Sequence, residues 1–220
     1  MEKNALVIGA SGGIGRALSL ELEARGYGVT RFSRSQDGFD ITCEDSVATA
    51  LGRLDTRFDL ILVASGILSN GQGPEKTLRS LSAKEMSDVF AVNAIGPALI
   101  LKHSVKLLHK RKRSVFAALS ARVGSIGDNK LGGWYSYRTS KSALNQVLRT
   151  ASIELARTHK HLVCTAIHPG TVATEFTKNY SKHQTVRPPQ AAVHILNVLD
   201  NLTPEDSGQF FDWAGKPIPW

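Results

Sequence analysis

The chain has 220 residues, and its hydrophobic content of 42% is that of an ordinary globular core, so we expect a single domain over 1–220. No apolar run approaches the roughly 20 residues that cross a bilayer, and the N-terminus lacks the basic-then-apolar order of a signal peptide. These features argue against a membrane protein and predict a cytoplasmic one. Cys43 and Cys164 are too few and too far apart for a disulfide framework or a zinc site, so we interpret both as small core residues and expect no metal.

The chain is basic, with 27 Lys and Arg against 19 Asp and Glu, which gives a net charge of +8. Such a charge would suit nucleic acid, an anionic membrane surface or a phosphorylated small molecule. The densest cluster, 102–113 (KHSVKLLHKRKR), falls where a helix is expected to end, and cations there favour the helix macrodipole and solvent. We therefore interpret the cluster as a solvated helix end and expect no nucleic-acid or membrane partner.

Short apolar segments alternate with longer amphipathic ones from end to end. Strands are predicted at 5–9, 28–32, 58–64, 114–119, 161–167 and 208–213. Helices are predicted at 13–26, 44–53, 82–110, 137–157 and 188–200. Apolar runs without polar alternation are typical of parallel strands that are covered on both faces. The pattern predicts an α/β fold with a doubly wound parallel sheet, a three-layer Rossmann fold in a single domain.

Glycines are concentrated between the first predicted strand and the first predicted helix. Gly9, Gly13 and Gly15 follow the strand in the spacing GxxxGxG. Glycine lets the backbone turn tightly and approach a pyrophosphate, whose negative charge then faces free N–H groups at the helix N-terminus. This turn indicates a dinucleotide site.

A tyrosine and a lysine share one face of the helix predicted at 137–157. Tyr137 and Lys141 are four residues apart, whereas Tyr135 lies six residues before Lys141 and points elsewhere. Tyrosine is a poor acid or base near neutral pH, but a nearby cation favours the phenolate and is expected to lower its pKa. Tyr137 is therefore the candidate proton donor, and Tyr135 is expected to be a loop or pocket-wall residue.

The glycine spacing and Tyr137-x-x-x-Lys141 together resemble the short-chain dehydrogenase/reductase family over essentially the whole chain. Asp40-Ile41-Thr42 is similar to the family's adenine-contacting aspartate after its third strand, and Ala64-Ser65-Gly66 to the segment after its fourth. Asn93 is similar to the helix asparagine of the family's active site, and 168–174 (HPGTVAT) to its PG motif. The stretches SARVGSI, GGWYSYRTSKSALN and DWAGKPIPW most resemble the branch that contains C-factor and related carbonyl reductases.

This resemblance implies an oxidoreductase that transfers hydride between a nicotinamide dinucleotide and a small carbonyl or alcohol, assembled as a homodimer or homotetramer. Tyr137 would act as general acid or base, Lys141 would orient the ribose, and Asn93 would hold a water that relays protons to Lys141. The implied cofactor-binding residues are Gly9, Ser11, Gly12, Gly13, Ile14, Gly15, Ser33, Arg34, Asp40, Ile41, Ala64, Ser65, Gly66, Asn93, Tyr137, Lys141, Pro169, Gly170, Val172 and Thr174.

The family's oxyanion-stabilising serine has no unambiguous counterpart. In the family it is commonly the second of two adjacent serines, and here the pair reads Ser120-Ala121. An ungapped reading places Ala121 at the catalytic position, but the following loop is long and glycine-rich, so the register can shift by one residue. We select Ser120 as the fourth catalytic residue with Asn93, Tyr137 and Lys141, and hold Ser125 in reserve.

Residues after the second predicted strand indicate which dinucleotide binds. An NAD site usually offers a carboxylate there, whereas a small residue followed by arginine leaves room and charge for a 2′-phosphate. Ser33 occupies the acidic position, Arg34 follows it, and Arg16 is a possible second cation. Asp37 is close in sequence but lies beyond the strand end. NADP(H) is therefore favoured over NAD(H).

Two further features bear on activity. Residues 175–187 take the place of the family's substrate lid, and their polar composition indicates an open site or a lid that orders on ligand binding. Trp134 precedes the active-site helix and is the tryptophan with the best claim to line a substrate pocket. A regulatory protein of the same fold that binds dinucleotide with little turnover is the alternative reading.

Overall fold

The sheet that organises the molecule is entirely parallel. A computed structural model describes residues 3–71, 73–180 and 185–220. Its strands are β1 (Lys3–Ile8), β2 (Tyr27–Phe32), β3 (Leu60–Val63), β4 (Ser114–Leu119), β5 (Leu162–His168) and β6 (Phe210–Asp212). They lie in the order β2-β1-β3-β4-β5-β6, and every neighbouring pair is parallel. The predicted doubly wound α/β fold is confirmed.

Helices cover both faces of this sheet. They are α1 (Gly13–Ala24), α2 (Arg34–Asp37), α3 (Glu44–Gly52), α4 (Ala83–Phe90), α5 (Gly96–Ser104), α6 (Tyr135–Leu155) and α7 (Pro188–Asn201). Alternate residues of each strand pack into two separate cores, because successive side chains of a strand lie on opposite faces of the sheet. Leu6 and Ile8 of β1 pack with α3, α5 and α6, whereas Ala5 and Val7 pack with α1 and α7. These two cores make the three layers.

The helix predicted at 82–110 is interrupted. Ser82 caps α4 by accepting a hydrogen bond from the Glu85 N–H, but the helix changes to π geometry over Ala91–Ile95 before α5 begins. Pro97 has no N–H to donate to the Asn93 carbonyl four residues earlier, which accounts for the change of helical register. The π segment contains Asn93, so the interruption positions a predicted site residue.

Two sequence-based expectations fail between β2 and α3. The family's third strand, which the resemblance implies just before Asp40, has no counterpart among the described residues, because 33–38 form a capped helical turn that ends in the left-handed Gly38. Cys43 is exposed at the start of α3 and is not a core residue, whereas Cys164 is buried as expected. A polar, glycine-containing connection between the two elements offers too few apolar residues to form a buried strand.

Several residues of the basic cluster at 102–113 contact other elements of the protein. Lys102 and His103, in the last turn of α5, contact the Glu44 carboxylate of α3. Arg113 donates hydrogen bonds to the carbonyls of Leu199 and Leu202 at the end of α7, where a cation complements the helix macrodipole. These contacts support the interpretation of a cationic helix end. Within the described ranges, no helix is long and apolar enough to cross a membrane.

Candidate active site

A cavity of about 820 Å³ opens at the carboxyl ends of β1, β3, β4 and β5. This is the edge at which doubly wound sheets bind ligands. The predicted site residues that line it are Ser11, Gly12, Gly13, Ile14, Gly15, Ala64, Ser65, Gly66, Ser120, Tyr137, Lys141, Pro169, Gly170, Val172 and Thr174. Gly9, Ser33, Arg34, Asp40, Ile41 and Asn93 are not part of its lining. The structure therefore gathers most of the predicted set at one edge of the sheet.

The glycine turn is packed so tightly that side chains are excluded. Gly9 has a φ of 84°, and a Cβ on Gly15 would lie 2.2 Å from the Gly9 carbonyl oxygen. A Cβ on Gly13 would lie 2.6 Å from the Thr174 methyl carbon. No described side chain caps the first turn of α1, and none of its residues is acidic, so its N–H groups face the cavity. This cradle fits the pyrophosphate of a dinucleotide.

Tyr137 and Lys141 lie side by side on α6 and are both buried, with exposures of 6% and 3%. The Lys141 ammonium lies 5.9 Å from the centre of the Tyr137 ring and donates a 2.8 Å hydrogen bond to the Leu119 carbonyl at the end of β4. Tyr135 does not line the cavity, although it begins α6 and is not part of a loop. The predicted convergence of Tyr137 and Lys141 is present in the structure.

Burial determines the protonation of this pair. It raises the pKa of Tyr137 and lowers the pKa of Lys141 to about 7. The expectation that Lys141 lowers the Tyr137 pKa is therefore wrong for the protein groups alone, because desolvation disfavours both charged forms and outweighs their mutual attraction. A polar ligand that supplies hydrogen bonds or charge to either group would reverse this balance.

Asn93 is fully buried in the π segment and lies near Lys141. Its Oδ1 accepts from the Ile67 N–H at 2.9 Å, and its Nδ2 donates to the Ile67 carbonyl at 2.8 Å and to Ser140 Oγ at 3.1 Å. A Cβ on Gly66 would lie 3.3 Å from Asn93 Oδ1 and 3.5 Å from Lys141 Nζ. Asn93 thus ties the loop after β3 to α6 and lies near the Lys141 ammonium.

Ser120, Ala121 and Ser125 lie differently with respect to the cavity. Ser120 borders the cavity, but its Oγ donates a 2.7 Å hydrogen bond to Oδ1 of the buried Asn145. Ala121 also lines the cavity and belongs to the same apolar cluster as Tyr137 and Leu68. Ser125 lies outside the cavity lining, where its Oγ accepts from the Asp128 N–H. Of the two predicted serines, only Ser120 lines the cavity, beside Ala121.

Glu75, which sequence reasoning missed, caps the active-site helix. Its buried carboxylate accepts hydrogen bonds from the N–H and the Oγ of Ser136, and its carbonyl accepts from the Trp134 N–H at 2.5 Å. Trp134 has the left-handed φ of 54°, and its side chain supplies no cap. A carboxylate also complements the positive end of the helix macrodipole. The absence of Ser, Thr, Asp or Asn before α6 was the available signal that a distant residue supplies the cap.

Aromatic side chains surround Tyr137. Trp134 lines the cavity as predicted, with its ring centre 6.2 Å from that of Tyr137 and 5.8 Å from that of Tyr180. The Phe176 ring centre lies 5.9 Å from that of Tyr137. Phe176 and Tyr180 belong to the predicted lid at 175–187, of which residues 181–184 lie outside the described part of the chain. The lid's contribution is therefore aromatic, which its largely polar composition did not indicate.

The predicted adenosine-binding residues lie apart from this cavity. Ser33 caps α2 and donates to Asp37 Oδ2 from its N–H at 2.8 Å and its Oγ at 3.1 Å, so Asp37 returns to the end of β2. The Asp40 carboxylate accepts from Thr42, which together with the charge of Arg34 keeps the pKa of Asp40 below its usual range. Arg34 itself is exposed and forms no ion pair with any described carboxylate.

Comparison with known proteins identifies the family. The family model described as enoyl-(acyl carrier protein) reductase matches residues 9–212. A Rhodococcus protein named 1-hydroxy-2-glutathionyl-2-methyl-3-butene dehydrogenase is 31% identical over 98% of this chain and 98% of its own length. The chain belongs to the short-chain dehydrogenase/reductase family. It is accordingly an enzyme, an oxidoreductase of this family.

Other relatives agree with this placement. The C-signal protein of Myxococcus xanthus is 35% identical over 62% of this chain and 79% of its own length. A short-chain dehydrogenase/reductase from Burkholderia multivorans with bound NADP superposes with a TM-score of 0.87 at 25% identity, covering all of both chains. The NADPH-bound carbonyl reductase from chicken fatty liver has a TM-score of 0.86 at 25% identity, covering 100% of this chain and 94% of that one. The predicted resemblance to the family and its C-factor branch is confirmed.

The buried Lys141 ammonium should make the stability of this short-chain dehydrogenase/reductase depend on pH. The folded chain holds Lys141 with a pKa of about 7, whereas an unfolded lysine titrates near its ordinary value of about 10.4. Between these values the unfolded state binds more protons, so the Lys141 contribution to the free energy of unfolding rises with pH. In urea titrations from pH 6 to 10, wild type should gain stability relative to Lys141→Met as pH increases.

Lys106→Met is the matched control, since Lys106 is an exposed lysine that follows α5. Its unfolding free energy should differ from that of wild type by an amount independent of pH. If the free energies of unfolding of wild type and Lys141→Met changed in parallel with pH, the claim that burial lowers the Lys141 pKa would be contradicted.

Proposed function

We propose that the chain is an NADP(H)-dependent oxidoreductase that interconverts a small carbonyl compound and its alcohol. The observation that carries this proposal is the burial of Tyr137 and Lys141 on one face of α6, in the same cavity as the uncapped N-terminus of α1. That N-terminus would hold the pyrophosphate, and Lys141 would hold the nicotinamide ribose. When bound, the nicotinamide supplies or accepts the hydride.

The chain's own residues move the proton. In reduction, the Tyr137 hydroxyl donates its proton to the carbonyl oxygen, and in oxidation the phenolate takes the proton back. The phenolate is costly in this buried site, so it needs the positive charge of Lys141 nearby. Asn93 lies beside Lys141 and would hold the water through which Lys141 exchanges protons with solvent. Lys141, with a pKa of about 7, can gain or lose a proton near neutral pH.

Tyr137→Phe removes the proposed acid while preserving the ring that packs against Phe176 and Trp134. Turnover of aromatic and aliphatic aldehydes, followed by loss of NADPH absorbance, should fall by about 100-fold or more, because general acid catalysis contributes about that much. NADPH affinity, measured by fluorescence titration, should change little. Tyr135→Phe is the matched control and should retain wild-type turnover, because Tyr135 does not line the cavity. Undiminished turnover in Tyr137→Phe would refute the acid/base role.

Ser120 is our proposed donor to the developing oxyanion, and it can reach the substrate only by giving up its hydrogen bond to Asn145. Ala121 lines the cavity in the same apolar cluster as Tyr137, and it carries no donor. Ala121→Ser should therefore raise turnover by about tenfold, since a hydroxyl placed toward the reacting oxygen adds an oxyanion contact of the kind worth about 10²-fold or more when it is optimally positioned. Ser120→Ala should lower turnover in the wild-type background.

Ser125→Ala is the control for both variants, because Ser125 lies outside the cavity lining. A loss of turnover in Ser125→Ala larger than that in Ser120→Ala would transfer the role to Ser125. An unchanged rate in Ala121→Ser would show that position 121 does not face the reacting oxygen.

The preference for NADP(H) over NAD(H) rests on Arg34, an exposed cation beside the end of β2. Asp37 is the nearest competing carboxylate, and Ser33 already engages it. Arg34→Ala should weaken NADPH binding by about tenfold or more and NADH binding by much less, since a charged hydrogen bond to the 2′-phosphate is worth about 1.5–3 kcal/mol. Fluorescence titration of both nucleotides checks this. Arg53→Ala, at the far end of α3, is the matched control, and equal losses for both nucleotides in Arg34→Ala would refute the assignment.

The alternative of a dinucleotide-binding regulator with little turnover is not favoured. It predicts tight NADPH binding by wild type without reduction of any aldehyde in the same panel, so these assays separate the two functions. A homodimer or homotetramer in the cytoplasm remains our expectation.

A further inference from the structure

Positive side chains outnumber negative ones around the substrate end of the cavity. The cations in its lining are Arg122, Lys130, Arg138 and Lys141, and the carboxylates are Asp128 and Glu175. Arg122 lies 3.2 Å from Asp128 and 3.7 Å from Asp212, and Glu175 lies 3.5 Å from Lys178. Arg138 and Lys130 form no ion pair with any carboxylate in the described ranges. Apart from Lys141, which lies beside Tyr137, the cavity therefore holds two cations whose charge no described side chain balances.

Arg138 is the better positioned of these two cations. Its Nε donates to the Gly133 carbonyl at 2.9 Å and to the Gly132 carbonyl at 3.3 Å, and its Nη1 donates to the Val123 carbonyl at 3.3 Å. Carbonyl oxygens orient a guanidinium but leave its charge in place. Nη2 makes no hydrogen bond to any described residue. A planar cation held in this way presents a free edge to an anion.

Arg138 shares its cavity with several aromatic side chains. Trp134 and Phe176 lie against the Tyr137 ring, and Tyr180 lies against Trp134. Arg138 follows Tyr137 on α6, so the cation and the proton donor are held by the same rigid element. Partial burial lowers the pKa of Arg138, although a guanidinium remains charged at neutral pH. Burial also strengthens its attraction for an anion.

We propose that the substrate is a flat, apolar carbonyl compound that carries a carboxylate. Its ring system lies among Trp134, Phe176 and Tyr180, and its carboxylate binds the Arg138 guanidinium. Lys130, exposed on the loop before α6, adds attraction at longer range. This inference rests on the proposed function, because the carbonyl of the same molecule must reach Tyr137.

Arg138 also has a structural role, because its hydrogen bonds tie Val123 to Gly132 and Gly133 across the loop that precedes α6. If that were its whole role, removing it would impair neutral and anionic substrates equally. A matched pair of substrates separates the two roles. 4-Formylbenzoate and methyl 4-formylbenzoate share the aromatic aldehyde and differ in charge.

With wild type, kcat/KM should be higher for 4-formylbenzoate than for its methyl ester. Arg138→Gln should lower kcat/KM for 4-formylbenzoate by about tenfold to hundredfold, mainly through KM, since this is the range of one charged hydrogen-bonded contact. The ester should lose much less. Arg138→Lys should restore part of the preference, and Lys160→Gln, which removes an exposed lysine between α6 and β5, should leave both values at the wild-type level.

Calorimetric titration with 4-formylbenzoate in the absence of nucleotide provides a second readout that needs no turnover. Its binding should weaken in Arg138→Gln by a factor similar to the change in KM. Equal losses for acid and ester, no preference in wild type, or binding that is independent of Arg138 would overturn the inference. Binding that depends on Arg138 without reduction of either aldehyde would support the inference and refute the proposed function. Reduction of both aldehydes at equal kcat/KM would support the proposed function and refute the inference.

Discussion

Burial of the Lys141 ammonium beside Tyr137 is the constraint on which the site depends. Lys141 is 3% exposed, and its ammonium donates a hydrogen bond to the Leu119 carbonyl at the end of β4. The surrounding backbone must approach closely to enclose it, since a Cβ on Gly124 would lie 2.7 Å from the Lys141 Cβ. An isolated buried cation is costly, so its pKa falls to about 7. A ligand that offers oxygen atoms to this ammonium would relieve that cost, which couples cofactor binding to the charge beside Tyr137.

Three loops that follow three different strands hold α6, and with it the buried Lys141, in place. The loop after β3 supplies Glu75, which caps the N-terminus of α6, and Ile67, which holds Asn93. The loop after β4 supplies the carbonyls that orient Arg138. The segment after β5 supplies Phe176, which packs on Tyr137. Because these contacts come from the carboxyl edge of one parallel sheet, the proposed proton donor, its cation and the proposed anion-binding arginine keep fixed positions relative to one another.

The fold was largely predictable because its main signals are local. Apolar runs predicted six strands to within a few residues, and the 3.6-residue period predicted the long helices. The failures occur where a long-range or single-residue effect overrides the pattern. Pro97 shifts the helix at Asn93 into π geometry, and a capped turn takes the place of the family's third strand before Asp40. Glu75 is separated from Ser136 by 61 residues, so no local pattern links the two.

The sequence by itself determined the parallel α/β sheet, the glycine-rich turn after β1, and the shared helical face of Tyr137 and Lys141. Each follows from periodicity or from steric limits within a few residues. Only the tertiary structure decided that Ser120 lines the cavity and Ser125 does not, because the path of the loop after β4 depends on its packing against α6. It likewise decided that Arg122 is paired while Arg138 is not, since ion pairing depends on charges that the fold brings together from distant parts of the chain.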